Sequence, residues 1–163
     1  QLNILEKGGG HKMAGGFSLK KEKISIFRDY LIKNFEKLKI DTSKNRDLYL
    51  DSMIAPSALN EQFFNEINSL APYGSGNNEP KFVIENVKAL SGNLVGNNHI
   101  KSILIGKDGS TFSSFLWNGK DTSLEPYLIK KSTKSFNVAG KMHLNEWRGK
   151  KRVEFIIDDI SVN

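Results

Sequence analysis

Cysteine is absent from the 163-residue sequence, and histidine occurs only three times. The absence of cysteine excludes disulfides, thiolate nucleophiles and cysteine-ligated zinc. The histidines His11, His99 and His143 are scattered and share no metal-ligand spacing. No apolar run approaches the roughly 20 residues that a membrane helix needs, and no signal segment opens the sequence. We therefore expect a cytoplasmic protein with no membrane partner and no metal site within this chain.

The basic excess of the chain is concentrated at its two ends. The net charge is +6, and residues 130–152 contain eight Lys or Arg against the single acidic residue Glu146. Such a density attracts nucleic-acid phosphates through the release of counterions. A solvated lysine-rich surface without a partner is the alternative explanation of the same pattern.

The first 45 residues predict a helical segment and a linker. The chain begins at Gln1, and Leu2, Ile4 and Leu5 are typical of the end of an apolar helix, so we expect a fragment of a longer protein. Apolar residues recur at steps of three and four in residues 20–39, which predicts an amphipathic helix. The polar residues 41–45 predict a linker, and we place a domain boundary between residues 44 and 45.

The second segment begins with a predicted strand and helix and continues as strands only. Residues 48–53 are strand-like, and Ser57 is expected to cap a helix that reaches Leu70 before Pro72. Residues 74–79 are interpreted as a rigid connection. From residue 81 onward the sequence predicts strands at 82–95, 99–105, 111–117, 135–143 and 152–157, with a hairpin turn at Asp108-Gly109 and an insertion at 121–134. This spacing indicates a small barrel or sandwich.

A glycine-rich segment, GGGHKMAGG at residues 8–16, carries the densest motif. Consecutive glycines allow backbone N–H groups to approach an anion without obstruction by Cβ, and His11 and Lys12 add donors. A tight turn between a helix and a strand explains the same residues without any ligand.

A second candidate site surrounds Trp147. This indole and its neighbours Arg148, Lys150, Lys151 and Arg152 lie in a predicted turn between strands, where a base could stack on the ring while cations neutralise phosphates. Packing of the tryptophan back on the barrel is the alternative. A further set, His99, Lys101, Phe115 and Trp117, alternates on two neighbouring strands and could form a stacking platform, although core and edge positions are the more common role of such residues.

Several motifs, and their order along the chain, resemble those of the RecJ family of single-stranded-DNA exonucleases. Gly8-Gly9-Gly10-His11 with Met13-Ala14 and Gly16-Phe17 is similar to the glycine-glycine-histidine motif of the DHHA1 substrate-binding subdomain that accompanies DHH-type phosphoesterases. Nucleases of very short RNA and cyclic-dinucleotide phosphodiesterases share that motif. The narrower resemblance to RecJ rests on Leu50-Asp51, on LAPYGSGNNEP at 70–80 followed by Phe82, on His99-Ile100-Lys101 and on NEWRG at 145–149.

The resemblance implies a 5′-to-3′ exonuclease of single-stranded DNA that acts in DNA repair and recombination with Mn²⁺ or Mg²⁺. It implies that Gly9, Gly10 and His11 contact a substrate phosphate. From the residue pattern itself, we expect Lys101, Trp147, Arg148, Lys150, Lys151 and Arg152 to bind the strand. Gly15 departs from the alanine often found in the family. The family's aspartate- and histidine-rich metal motifs are missing, so we expect the metals to be bound outside this chain.

The predicted fold class is α+β, with residues 1–44 as the C-terminal piece of a DHHA1-type α/β domain and residues 45–163 as an oligonucleotide-binding (OB) barrel. The expected partners are single-stranded DNA and, in addition, single-strand-binding protein or other repair proteins. One alternative is a single-strand-binding or protein-docking module without a catalytic role. A nucleotide-specific phosphodiesterase is disfavoured because that role does not require the barrel. Metal motifs encoded upstream in the gene would separate the first two hypotheses.

Overall fold

A computed structural model describes residues 4–11, 14–38, 47–131 and 134–162. The chain divides into two compact units, Gln1–Leu48 and Tyr49–Asn163. The predicted linker at 41–45 lies outside the described residues, as does Leu2. Over the described ranges, no helix is long and apolar enough to cross a membrane.

The first unit contains a two-stranded hairpin and one helix. Strand β1 (Lys7–His11) pairs antiparallel with β2 (Ala14–Ser18), and Gly9 lies opposite Gly16. A Cβ atom on Gly10 would overlap the backbone of Ala14 and Gly15, so glycine is required where the two strands approach each other. The prediction of an apolar helix before the glycines is wrong: Ile4 is not helical, and the glycine-rich segment itself forms strands.

The amphipathic helix predicted at residues 20–39 is confirmed with shorter bounds. A 3-10 turn at Lys21–Lys23 leads into α1 (Ile24–Lys37). The rings of Phe17 on β2 and Phe27 on α1 meet edge to face with their centroids 4.7 Å apart, which attaches the hairpin to the helix.

The second unit opens with a short strand and a helix. Only Ser52–Met53 of the strand predicted at 48–53 forms β3, which pairs parallel to the start of the first barrel strand. The capping prediction for Ser57 is wrong, because this residue lies in a 3-10 turn at Pro56–Ala58. Helix α2 (Glu61–Asn68) is capped by Asn60, whose side-chain oxygen accepts a hydrogen bond from the Phe63 N–H at 2.9 Å.

The segment after α2 is held by its own hydrogen bonds. The Asn77 side-chain amide donates to the carbonyl oxygens of Leu70 and Pro72, each at 3.0 Å. Gly74 forms a β-bridge with Asn77, and Gly76 has a φ of 82° that favours glycine. These contacts support the interpretation of residues 74–79 as a rigid connection.

Five strands then form a closed barrel. They are β4 (Phe82–Val95), β5 (His99–Ile105), β6 (Thr111–Leu116), β7 (Phe136–Trp147) and β8 (Lys150–Ser161). The strand order is β4-β5-β6-β8-β7, and β4 pairs with β7 to close the circle. Helix α3 (Glu125–Ile129) lies in the predicted insertion between β6 and β7 and buries Leu128 completely. This arrangement confirms the α+β class and the OB-like barrel.

The alternation of side chains along the barrel strands separates a core face from an outer face. Ile100 and Leu104 of β5 are fully buried in the core, as are Val138 of β7 and Phe155 of β8. Successive residues of a strand point to opposite sides of the sheet, so the neighbours of these residues lie outside the barrel. The outward-pointing residues of β5, β6 and β8, together with the β7–β8 hairpin, are called the outer face below.

Candidate nucleic-acid interface

Three aromatic rings cluster at one end of the outer face. The centroids of His99 and Trp117 are 4.7 Å apart, those of Phe115 and Trp117 are also 4.7 Å apart, and those of His99 and Phe115 are 5.7 Å apart. Trp117 remains 60% exposed. The imidazole Nδ1 of His99 accepts a hydrogen bond from the Asn118 N–H at 3.0 Å, which orients the ring. The cluster therefore presents a preformed, solvent-accessible aromatic surface.

An ion pair occupies the middle of the outer face. The Lys101 ammonium donates to Oε1 of Glu154 at 2.6 Å, and the Ser113 hydroxyl donates to the same oxygen at 3.2 Å. Ser113 lies opposite Glu154 in the parallel β6–β8 pairing, and Lys101 lies opposite Phe115 in the β5–β6 pairing. The pairing of three strands thus brings these groups together although they are far apart in sequence.

Glu154 is almost completely buried, with only 4% of the residue exposed. Burial by itself raises the pKa of Glu154, but the hydrogen bond and charge of Lys101, with hydrogen bonds from Asn145 and Ser113, hold the pKa below its usual value. The carboxylate is therefore ionised at neutral pH and forms a nearly neutral unit with Lys101.

The β7–β8 hairpin forms the opposite end of the outer face. Arg148 and Gly149 have φ values of 51° and 73°, as expected for a two-residue turn of type I′. Trp147 lies opposite Lys150 at the base of this turn and is 71% exposed. The Arg148 guanidinium carbon lies 5.8 Å from the centroid of the Trp147 ring, within the range of a cation–π contact. The indole is thus directed to solvent beside a group of cations and does not pack into the barrel.

A cleft of about 510 Å³ connects the hairpin to the middle of the face; it is lined by Lys101, Asn145, Trp147, Lys150, Lys151, Arg152 and Glu154. Five of the six residues predicted to bind the strand line this one cleft, and Arg148 lies next to it at the turn. Within the described ranges, Lys150, Lys151 and Arg152 take part in none of the ion pairs. Their charges remain available to an anionic partner.

A second cleft of about 320 Å³ adjoins the first on the outer face. Arg152 lines both clefts, and the second is otherwise lined by Leu59, Ile103, Thr111, Phe112, Ser113 and Val153. The shared arginine makes the two clefts neighbours along the face. A ligand that follows the outer face could therefore extend past Arg152.

The predicted phosphate-binding residues lie in the first unit. Gly9 borders a shallow depression of about 290 Å³ whose other lining residues are Lys7, Gly8, Gly16, Phe17 and Ser18. Gly10 lies at the close approach of the two strands, and His11 ends β1 opposite Ala14. The backbone at Gly9 is open, with no atom within 4 Å of the position that a Cβ would take.

The sequence favoured core and edge positions for the aromatic residues and did not single out Glu154. His99, Phe115 and Trp117 are not core residues; their rings cluster on the outer face. A signal for this placement exists in the sequence, because Ile100, Leu104 and Leu116 occupy the alternate positions that face the core. For Glu154 the available signal is one carboxylate within the otherwise apolar run 153–157. Of the residues that the structure describes, none form a group of three or more that could hold a metal ion.

Comparison with known proteins identifies the relatives of this arrangement. Residues 50–159 match the protein-family profile described as RecJ OB domain. The single-stranded-DNA-specific exonuclease RecJ of Haemophilus influenzae is 28% identical over 160 residues, which cover 97% of this chain and 27% of that protein. This chain thus spans about a quarter of the length of the curated relatives that it matches.

Solved structures of RecJ also match this chain. The crystal structure of RecJ from Thermus thermophilus in complex with Mn²⁺ matches with a TM-score of 0.65 and 25% identity, covering 98% of this chain and 22% of that one. The structure of the same protein with Mg²⁺ also matches with a TM-score of 0.65, at 26% identity, over 98% of this chain and 23% of that one.

Proposed function

The chain belongs to the RecJ OB domain family, and from that premise we propose that it is the strand-binding part of a single-stranded-DNA exonuclease. The outer face carries the proposal, because it combines exposed aromatic rings at both ends with a group of cations beside Trp147. Single-strand-binding surfaces work by stacking bases on aromatic rings and by neutralising phosphates with Lys and Arg. OB folds bind oligonucleotides through the second and third barrel strands and adjoining loops, which are β5, β6 and the β7–β8 turn here.

Each group on the outer face has a proposed role. Trp147 stacks on a base at the hairpin end, and the His99, Phe115 and Trp117 cluster offers a second stacking surface. Lys150, Lys151 and Arg152 neutralise phosphates along the cleft, and Arg148 adds a further cation beside Trp147. Lys101 lies on the path between the two tryptophans, in contact with Glu154.

In the complete protein, we propose that phosphodiester hydrolysis occurs in another domain, which holds Mn²⁺ or Mg²⁺. The whole protein would then be a 5′-to-3′ exonuclease of DNA repair and recombination in the cytoplasm, with single-strand-binding protein or other repair proteins as partners. The RecJ structures with Mn²⁺ and with Mg²⁺ support the choice of metal.

We assign residues 1–44 to a DHHA1-type domain and 45–163 to the OB domain. In the first domain, Gly9, Gly10 and His11 would contact a substrate phosphate. The exposed backbone at Gly9 and its position beside the depression on the hairpin support this role. The histidine at the end of β1 would add a side-chain donor to the backbone N–H groups.

Binding of a labelled oligothymidine of about 16 nucleotides, the upper site size of OB folds, tests the proposed strand binding. We expect the logarithm of the binding constant to fall linearly with the logarithm of salt concentration, by about 0.7 for each phosphate neutralised. Lys150→Met should make this dependence shallower by about 0.7. Affinity that is indifferent to salt would contradict the proposed function.

A further inference from the structure

Lys101 differs from the other cations of the outer face in having a buried carboxylate as its partner. Its ammonium lies 2.6 Å from Oε1 of Glu154, whose side chain is only 6% exposed. Within the described ranges, Lys150, Lys151 and Arg152 form no ion pair. The face therefore has a neutral centre between its aromatic cluster and its cationic hairpin.

The Lys101–Glu154 pair is costly to open. If a phosphate drew Lys101 away, Glu154 would lose its counter-charge while remaining buried, and an uncompensated buried charge is strongly unfavourable. The Ser113 hydroxyl donates to the same carboxylate, and Asn145 also provides a hydrogen bond. Both hold Glu154 in place but neither supplies the positive charge that would be lost.

We infer that Glu154 limits the affinity of the outer face for single-stranded DNA by keeping the charge of Lys101 from the phosphates. This inference rests on the proposed strand-binding function and adds a regulating residue to it. Lys101 stays with Glu154 in the complex, so that bases pass over the centre of the face while phosphates are neutralised at the hairpin. A strand held less tightly at the centre can move along the face more readily.

The primary test compares the chain with its Glu154→Gln variant in binding the labelled oligothymidine. Glutamine preserves the shape and one oxygen acceptor but removes the charge that compensates Lys101. The variant should bind more tightly, by about fivefold at 0.1 M salt, and its salt dependence should become steeper by about 0.7, as for one further neutralised phosphate. Glu85→Gln is the matched control, because it removes one exposed carboxylate on β4 outside the outer face. Its affinity should change by less than about twofold, since exposed distant charges are largely screened.

A double variant keeps the inference testable if Glu154→Gln folds poorly. The double variant Lys101→Met with Glu154→Gln replaces a neutral pair by a neutral pair, so its affinity should stay within about twofold of the unsubstituted chain. Thermal melting of each variant verifies that the barrel is folded.

The outcomes separate the inference from the proposed function. Weaker or unchanged binding by folded Glu154→Gln would overturn the inference. A salt dependence made shallower by about 0.7 in the double variant would also overturn it and assign Lys101 a direct phosphate contact. Lys150→Met would still show its own loss in that case, and the proposed function would stand. If the unsubstituted chain binds no oligothymidine at low salt, both the function and the inference fail.

Discussion

Replacing Trp147 by alanine is expected to weaken single-strand binding while leaving the fold intact. The indole is 71% exposed, and Arg148 lies over its ring at 5.8 Å. An exposed cation–π contact contributes about 0.5–1 kcal/mol, so the loss of stability should be small. Loss of a stacked base costs about 1–3 kcal/mol, which corresponds to a rise in Kd of roughly fivefold to somewhat more than a hundredfold.

The sequence supplies its own reporters for this experiment, because Trp117 and Trp147 are the only tryptophans. Fluorescence anisotropy of a labelled oligothymidine gives the Kd of Trp147→Ala, and quenching of Trp117 in that variant shows whether the second aromatic surface still engages the strand. Trp147→Phe is the control, since it keeps an aromatic face and should retain most of the affinity. An unchanged Kd for folded Trp147→Ala would refute the stacking role of this residue.

Three further predictions concern the hairpin of the first unit, the buried carboxylate and the barrel closure. In the complete enzyme, His11→Ala should lower the exonuclease rate about a hundredfold or more if the imidazole donates to the phosphate, since one such donor is worth about 2.7–4 kcal/mol. Steady-state kinetics measures this rate. A change of less than about threefold with unaltered melting would remove that role. The folded-state pKa of Glu154 lies below its unfolded value, so the ionised carboxylate stabilises the fold fully above the ordinary glutamate pKa. This contribution is lost as the pH falls through the lowered pKa. The melting temperature of Glu154→Gln should therefore fall less steeply in acid than that of the unsubstituted chain. Gly140→Ala should destabilise the barrel by about 1–3 kcal/mol in chemical denaturation, because the added Cβ would overlap the Ile156 carbonyl. Gly74→Ala is the control and should have little effect, because the position of its Cβ is open. Equal stabilities of the two variants would contradict the required close approach at Gly140.

Local sequence signals predicted the barrel strands well. The bounds expected for the strands at 82–95 and 99–105 are those observed, and Gly109 has the positive φ expected from the Asp108-Gly109 turn signal. These features depend on alternation along one strand and on the conformational freedom of one glycine, both of which are local properties. The motif order also predicted the RecJ family, which residues 50–159 confirm.

The predictions that failed depended on competition between local alternatives. Ser57 and Asn60 are both good helix caps, and the turn that begins at Pro56 gives Ser57 to a 3-10 turn and leaves the cap to Asn60. The apolar residues before Gly8 were compatible with a helix, but Ile4 and Leu5 are not helical, and the Glu6 N–H already donates to the Ser18 carbonyl oxygen at 2.8 Å next to the β1–β2 pairing. The roles of Gly9, Gly10 and His11 remain predictions.

The sequence by itself determined which cations and tryptophans the outer face presents and on which strands they alternate. Tertiary structure decided which of them meet. Lys101 and Glu154 are 53 residues apart and become partners only because β6 lies between β5 and β8 in the closed barrel. The same closure buries Glu154 and leaves Trp147 exposed, since burial depends on the elements that pack around a side chain and not on its immediate neighbours in the chain.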